Sequence, residues 1–243
     1  MLFNGGSVKE PVRCAVIGIG TMGKKYAAMI GGGEIDGLSL AAVCCRSDAN
    51  AAWARASLPE SVKICRSEDA LYEEEDLFDA AIIVTPHKQH PAMAIRALNA
   101  GKHVLCDKPA GVTAGDAEAI NAAAARSGRI YAMMCHQRTY PQHVKVKELL
   151  DEGAIGTVRR VCLENTEIYE FGGFDQAYQT MLQNFADAVL TGAALIAPGQ
   201  DGSKTLSLVN AAYLSAWLGQ KIALPVDMNV YNELLQKKII SEG

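Results

Sequence analysis

Short apolar runs alternate with longer stretches of mixed polarity over the first 140 residues of the chain. Such runs are typical of parallel strands that are covered on both faces. The runs of this kind are Val12–Ile17, Leu38–Cys44, Ala80–Val84, His103–Cys106 and Ile130–Met134. The stretches between them predict helices at Met22–Ile30, Ala49–Ala56, Pro91–Asn99 and Ala114–Arg126. This alternation predicts an α/β fold built on a doubly wound parallel sheet.

Capping residues mark several of the predicted helix ends. Asp48 and Thr113 stand just before helices, and their side chains are of the types that accept hydrogen bonds from the first free N–H groups. We therefore predict both as N-caps. Gly101 and Gly128 follow helices at positions where a left-handed backbone is needed.

The pattern changes after about residue 140. The elements predicted beyond it are a helix at Pro141–Glu152, a strand at Thr157–Asn165, and helices at Tyr178–Thr191, Ser203–Leu218 and Val230–Ile240. The stretch Ile168–Asp175 has no clear period. We therefore divide the chain into an α/β domain over residues 1–140 and a mostly helical domain over residues 141–243.

The charge of the chain does not favour a polyanionic partner. Its 243 residues include 23 Lys or Arg and 27 Asp or Glu, a net charge of −4, so we expect no general attraction to nucleic acid or to an anionic membrane. No apolar run reaches the ~18–20 residues that cross a bilayer, and the first residues lack the apolar core of a secretion signal. The seven cysteines form no C-x-x-C pair. We therefore expect buried, reduced thiols in a cytoplasmic protein and no metal site.

A glycine motif follows the first predicted strand directly. Residues 18–23 read G-I-G-T-M-G, and a helix follows at once, which is the context that a dinucleotide-binding fingerprint requires. We assign Gly18 to the tight turn, Gly20 to the close approach of a pyrophosphate and Gly23 to the packing of the helix on its strand. The free N–H groups of the first helical residues, Thr21 and Met22 among them, would bind the pyrophosphate. The sequence therefore predicts a Rossmann domain that binds NAD or NADP.

The end of the second strand should discriminate between these two cofactors. A carboxylate about 20 residues beyond the glycines would bind the ribose 2′-OH of NAD. The chain instead has Arg46 and Ser47 there, and no acidic residue precedes Asp48. A guanidinium suits a 2′-phosphate because its donors are forked, so we favour NADP over NAD. The alternative is that Arg46 faces solvent.

Further motifs occur in order along the chain. Residues 85–90 read TPHKQH, residues 101–109 read GKHVLCDKP and residues 133–139 read MMCHQRT, and later segments lie at 146–156, 184–189, 211–215 and 224–227. Together they resemble the Gfo/Idh/MocA family of NAD(P)-dependent oxidoreductases, which act mainly on sugars, inositols and related polyols. The resemblance covers nearly the whole chain. It implies that residues 1–140 are the NAD(P)-binding domain and that residues 141–243 belong to an α+β substrate domain.

The resemblance also implies roles for residues that follow the later strands. Lys108 is the candidate to assist proton transfer, since it lies at the carboxyl end of a buried strand, and partial desolvation would help it lose its charge. Asp107 stands where the family has glutamate, and it would orient Lys108 or contact the cofactor. Thr85, Pro86 and His90 would form a turn over the cofactor.

One departure from the family is large. Family members usually exceed 300 residues, and between the segments that here lie near Glu164 and Tyr178 they carry a large sheet and an aspartate–histidine motif. Only about a dozen residues join those points in this chain, and all five histidines precede them. Either the segment is deleted or it is missing from this sequence. His136 is the candidate for a substitute proton carrier, with a structural role as the alternative, and Gln137 and Arg138 are candidates for contact with the nicotinamide or the substrate.

The sequence therefore favours an NAD(P)-dependent oxidoreductase acting on a sugar, inositol or related polyol, with a truncated, mostly helical substrate domain. The alternative is a dinucleotide-binding protein without turnover, because most of the substrate domain is absent. We expect cofactor binding with poor turnover, because an open site positions a polyol badly. Association of identical chains stays open.

Overall fold

The computed structural model describes residues 10–157 and 174–242. The strand predicted at Thr157–Asn165 and the stretch 168–175 fall almost wholly outside the described residues, as does Cys162.

One parallel sheet organises the described residues. Its strands are β1 (Val12–Ile17), β2 (Leu38–Cys44), β3 (Lys63–Cys65), β4 (Ala80–Ile83), β5 (His103–Asp107) and β6 (Tyr131–Met134). They lie in the order β3-β2-β1-β4-β5-β6, and each neighbouring pair is parallel. This is the order of a dinucleotide-binding Rossmann sheet, so the predicted fold class is confirmed.

Helices connect the strands and cover the sheet. They are α1 (Thr21–Gly31), α2 (Asp48–Ser57), α3 (Glu68–Tyr72), α4 (His90–Asn99), α5 (Ala114–Ser127), α6 (Pro141–Asp151), α7 (Phe174–Thr191), α8 (Gln200–Leu218) and α9 (Met228–Glu242). Right-handed crossovers place α1 and α2 on one face of the sheet and α4 and α5 on the other. Short 3₁₀ turns at His87–Gln89 and His136–Thr139 follow β4 and β6.

Two short elements were missing from the sequence prediction. Strand β3 and helix α3 have three and five residues, which is too short for either to show a hydrophobic period. The predicted N-cap Asp48 was wrong: Ser47 caps α2 by accepting a hydrogen bond from the N–H of Asn50 at 3.2 Å, and Asp48 begins the helix. Thr113 caps α5 as predicted, in a capping box with Asp116.

Helix α7 and the first half of α8 share the core of the sheet, whereas Leu214 of α8 packs with Val226 and Tyr231 in a second, smaller cluster. Met181, Leu182 and Phe185 of α7 are buried in the same cluster as the strands, and so is Leu206 of α8. Burial of such side chains contributes roughly 1.5–3 kcal/mol each. The region after residue 173 is helical, as predicted, and it lies directly on the Rossmann sheet.

The segment before α8 covers an exposed edge of the sheet. Pro198 forms a single antiparallel bridge with Ala132 of β6, and Met133 donates its N–H to the carbonyl of Ala197 at 2.9 Å. An uncovered edge strand would invite pairing with another chain. The carboxyl-terminal region therefore completes the sheet as well as its core.

None of the helices in the described ranges is both long and apolar enough to cross a membrane. The six cysteines that the structure describes are unpaired; Cys135 is half-buried and the other five are buried. Burial raises the pKa of the Cys44 thiol to about 12, which keeps it protonated at neutral pH.

One buried polar side chain fastens α8 to the sheet domain. Asn210 is fully buried, accepts a hydrogen bond from the N–H of Ala114 at 2.9 Å and donates to the carbonyl of Val112 at 3.3 Å. These groups lie at the start of α5, where a helix has free N–H groups.

Replacing Asn210 with Ala is expected to destabilise the fold by roughly 1–3 kcal/mol, because it leaves buried backbone groups without partners. Urea unfolding followed by far-UV circular dichroism measures the effect. Leu208→Ala, a change on the exposed face of the same helix, serves as the control and should cost far less. Equal midpoints for the two variants would contradict the assigned contact.

Candidate functional site

The order of the strands reverses between β1 and β4, and a cleft of about 570 Å³ lies there at their carboxyl ends. Nucleotides bind at this reversal point in doubly wound sheets. The cleft brings together candidate residues from three separate segments of the chain, namely Gly18, Gly20, Arg46, Ser47, Thr85 and Pro86.

Two glycines of the motif have a steric reason to lack a side chain, and the third borders open space. Gly18 has φ +99°, and a Cβ there would lie 2.7 Å from the carbonyl oxygen of Val84. A Cβ at Gly23 would overlap the carbonyl oxygen of Gly18, so α1 could not approach β1. A Cβ at Gly20 would meet nothing within 4 Å. The backbone at Gly20 therefore borders open space in the cleft.

Helix α1 begins at Thr21 with Gly20 as its N-cap, and no side chain caps it. The N–H groups of Thr21, Met22 and Gly23 consequently have no partner within the helix. Their orientation and the helix dipole favour an anion beside Gly20. The room above Gly20 and these free donors fit the pyrophosphate of a dinucleotide.

Two arginines follow neighbouring strands, Arg46 after β2 and Arg66 after β3. Arg46 lines the cleft. Arg66, which the sequence interpretation missed, donates to the carbonyl of Arg46 at 2.7 Å and to Oδ1 of Asp48 at 2.6 Å. Ser47 accepts the capping hydrogen bond of α2 with its hydroxyl oxygen, which leaves its hydroxyl proton for a ligand.

One carboxylate lines the same cleft and was also missed. Glu68 projects from the first turn of α3, a helix that the sequence did not predict. Its Oε1 is buried without a hydrogen-bond partner among the described residues. Burial raises the pKa of Glu68, and Arg96 opposes that shift.

His90 joins the turn after β4 to the turn after β5. It is buried, and its Nε2 and Nδ1 lie 2.7 Å from the carbonyl oxygens of Thr85 and Pro109 respectively. A neutral imidazole can donate to one of these oxygens, and the protonated ring can donate to both. The contacts hold together the two turns that carry Thr85 and Lys108.

Asp107 and Lys108 end β5 at the same edge of the sheet. The carboxylate of Asp107 accepts the backbone N–H of Lys108 at 2.8 Å, so it positions the main chain of Lys108 rather than its ammonium. Burial raises the pKa of Asp107, against the opposing effect of that hydrogen bond. Lys108 itself is exposed, so the desolvation that we expected for it is not provided by the described residues.

His136 follows β6, the neighbouring strand, and is half-buried. Burial lowers its pKa; Asp107 opposes this and Lys108 adds to it. Its ring packs at a tilt against the ring of Tyr178 of α7, with the ring centroids 4.3 Å apart. Tyr178 is therefore a further site residue, and no sequence signal marked it because 42 positions separate it from His136.

The two residues after His136 differ in their contacts. Gln137 is exposed, and its carbonyl oxygen lies 2.7 Å from Nδ1 of His143. Arg138 forms an ion pair with Asp201 at 2.7 Å and donates to the carbonyl of Ile196. These contacts tie the turn to α8 and to the segment before it, and a contact of Arg138 with nicotinamide or substrate stays a prediction.

A larger cleft of about 1000 Å³ lies at the opposite, amino end of the strands. Its charges are matched: Arg13 forms an ion pair with Asp79 at 2.7 Å and lowers the pKa of that carboxyl. None of the predicted cofactor or substrate residues lines it. Across residues 10–157 and 174–242, no three His, Cys, Asp or Glu side chains are grouped as metal ligands.

Relatives of the chain include inositol dehydrogenases. The inositol 2-dehydrogenase of Salmonella typhimurium is 29% identical over 149 residues, which are 60% of this chain and 43% of that protein. Inositol 2-dehydrogenase 1 of Saccharopolyspora erythraea is 33% identical over 153 residues, with the same two coverages. The chain thus spans less than half of the length of the curated relatives that it matches.

Solved structures of inositol dehydrogenases have a fold similar to that of this chain. The myo-inositol 2-dehydrogenase of Lactobacillus plantarum superposes with a TM-score of 0.74 at 18% identity, covering 87% of this chain and 98% of that one. The scyllo-inositol dehydrogenase of Lactobacillus casei, solved with NAD(H) and scyllo-inositol, gives a TM-score of 0.55 at 28% identity over 60% of this chain and 43% of that one.

The model of the Gfo/Idh/MocA oxidoreductase family, described by its NAD-binding Rossmann fold, matches residues 12–135, which are just over half of the chain. With the glycine loop, the turn held by His90 and the Asp107–Lys108 strand end at one edge of a Rossmann sheet, the chain belongs to the Gfo/Idh/MocA family of oxidoreductases.

Proposed function

We propose that the chain is an NAD(P)-dependent oxidoreductase that transfers hydride between a nicotinamide cofactor and a sugar, inositol or related polyol. The observation that carries the proposal is the placement of Lys108 and the glycine loop at the same edge of the sheet, at the ends of β5 and β1. Family membership and the inositol dehydrogenases among the relatives support the substrate class.

The cofactor would lie along the carboxyl edge of the sheet. Its pyrophosphate would bind at Gly20 and the first N–H groups of α1, and its nicotinamide would approach Thr85, Pro86 and Lys108. When bound, the nicotinamide supplies the acceptor or donor of the hydride. The residues of the chain bind it, orient it and handle the proton.

We propose NADP as the preferred cofactor, with NAD as the alternative. Arg46 lines the cleft where the adenosine ribose would lie, and Arg66 adds a second positive charge beside it. Asp48 is already paired with Arg66, and Glu68 lies 3.8 Å from the guanidinium of Arg96, which offsets its negative charge. A dianionic 2′-phosphate gains charge-assisted hydrogen bonds in such surroundings.

Lys108 would donate a hydrogen bond to the oxygen of the reacting carbon. Its positive charge favours the alkoxide-like oxygen that forms as the hydride leaves. Residues 141–243 would act as a reduced substrate domain, in which α7 contacts His136 through Tyr178. Because water reaches Lys108, this help is weaker than in a closed site, and we expect slow turnover.

Changing Gly20 to Val is expected to abolish cofactor binding, because the added side chain would occupy the space of the pyrophosphate. Titration of NADPH fluorescence measures the dissociation constant. Gly115→Ala provides a matched control, since a Cβ there meets only Thr113 Oγ1 at 3.7 Å. Unchanged NADPH binding by the Gly20 variant would refute the assigned loop.

Changing Arg46 to Ala is expected to reduce the preference for NADP over NAD by tenfold or more, because one charge-assisted contact contributes roughly 1.5–3 kcal/mol. The measured quantity is the ratio of the two dissociation constants. Arg55→Ala, an exposed change on helix α2, which follows Arg46, should leave that ratio unaltered. If the Arg46 variant keeps the wild-type ratio, Arg46 does not read the 2′-phosphate.

Changing Lys108 to Ala is expected to lower kcat by roughly 10²-fold while cofactor binding stays within twofold. The assay follows NAD(P)H absorbance with a panel of inositols, aldoses and sugar acids. Lys237→Ala on α9, whose side chain is 65% exposed, is the control for loss of a positive charge. Cofactor binding without turnover in the wild-type chain would instead favour the binding-only function.

A further inference from the structure

Helix α7 places Tyr178 against the candidate active site. The Tyr178 ring lies on His136 at 4.3 Å between centroids, with a tilt of 38°. Its Oη is 3.4 Å from Nε2 of His136, at the long end of hydrogen-bond distance. Catalytic hydrogen bonds are often long before the substrate binds.

The position of Tyr178 is determined by the docking of α7. Met181 and Leu182, one turn further along the helix, are buried in the sheet core. Gln183 exchanges hydrogen bonds with the backbone of Asp36, accepting at 2.9 Å and donating at 3.0 Å. These contacts determine the position of the helix on the sheet. The packing of α7 therefore places the Tyr178 hydroxyl beside His136.

Several polar groups surround this pair. The charged and titratable groups that face it are Lys25 and Tyr26 of α1, Asp107 and Lys108 of β5 and its following turn, Tyr140 after β6 and Asp175 of α7 itself. The Tyr26 ring lies 5.6 Å from that of Tyr178, and the buried Tyr26 hydroxyl has no hydrogen-bond partner among the described residues.

We propose that Tyr178 is a catalytic residue: its hydroxyl takes the proton of the substrate hydroxyl and passes its own proton to Nε2 of His136. The proposal rests on the function proposed above. It assigns to α7 the proton transfer that family members assign to a histidine in the segment that this chain lacks.

The reaction considered is the oxidation of a secondary alcohol to a ketone. The substrate O–H bond breaks and its proton goes to Tyr178 Oη, while the Tyr178 proton moves to His136 Nε2. The C–H bond breaks at the same carbon, its electron pair leaves as hydride to the nicotinamide, and a C=O bond forms. The imidazolium of His136 then releases its proton to water, and Lys108 only donates a hydrogen bond to the reacting oxygen.

The pKa shifts of the two side chains agree with the role of His136 as proton acceptor and of Tyr178 as proton relay. Burial lowers the pKa of His136, so the ring is neutral at pH 7 and can accept a proton. Burial raises the pKa of Tyr178, so its hydroxyl stays protonated and acts as a relay rather than as a phenolate base. Such a proton relay requires the neutral hydroxyl group and does not require the phenolate form of Tyr178.

Tyr178→Phe tests the proposal, since the ring and its packing on His136 and Tyr26 remain. We expect kcat to fall roughly 10²-fold, with the dissociation constant of NADPH within twofold of wild type. The low-pH limb of the kcat profile should move to higher pH, because His136 loses a donor that favours its neutral form. Tyr213→Phe, an exposed change on α8 with its ring beside Trp217, is the matched control.

A second measurement does not depend on turnover. NMR titration of the histidine side chains in the cofactor-free protein should show a higher pKa for His136 in Tyr178→Phe than in the wild type, because the ring loses a hydrogen-bond donor. In addition, the double variant Tyr178→Phe with His136→Gln should be no slower than the slower single variant, since the two residues act in one relay.

These measurements distinguish a failure of the Tyr178 relay from a failure of the proposed oxidoreductase function. Wild-type kcat, wild-type pH profile and an unshifted His136 in Tyr178→Phe would overturn the proposal and leave the oxidoreductase intact. A wild-type chain that binds NADPH without turning over any polyol would also overturn it, while cofactor binding stands. A chain that binds neither NADPH nor NADH would overturn the proposed function, and this proposal with it.

Discussion

The contact between two stretches of bare backbone is the constraint on which the rest of the structure depends. A side chain at Gly23 would overlap the carbonyl oxygen of Gly18, and a side chain at Gly18 would collide with the carbonyl of Val84. Without these glycines, α1 could not start directly beyond β1 and lie close to it. Its free N–H groups would then not point into the gap between β1 and β4, where the strand order reverses.

The other parts of the site are held at this edge by contacts between distant segments. His90 bridges the turns after β4 and β5 through two carbonyl oxygens, and Asp107 holds the N–H of Lys108. Each of these contacts satisfies a polar group that is buried or partly buried, and leaving such a group unpaired would cost about 1–3 kcal/mol. The turns are therefore ordered by hydrogen bonding before any ligand arrives, which lowers the entropy cost of positioning a substrate.

The packing of the carboxyl-terminal helices explains how a chain that spans 43% of the Salmonella relative has a closed core. Met181, Leu182 and Phe185 of α7 enter the core of the sheet, and the segment around Pro198 covers its edge at β6. Helix α7 therefore covers apolar surface and also presents Tyr178 to His136. The same helix therefore stabilises the sheet and contributes a side chain to the candidate site.

The sequence by itself determined five of the six strands, the glycine loop and the strand ends that carry Arg46, Thr85 and Lys108, because these depend on local periodicity and on residues adjacent in the chain. It did not reveal β3 or α3, which are too short to show a period, and so it missed Glu68. Only the tertiary structure decided that Arg138 pairs with Asp201, that His90 joins two turns and that Tyr178 meets His136. Those contacts join residues far apart in the chain, and their geometry is set by how whole helices pack on the sheet, which no local pattern encodes.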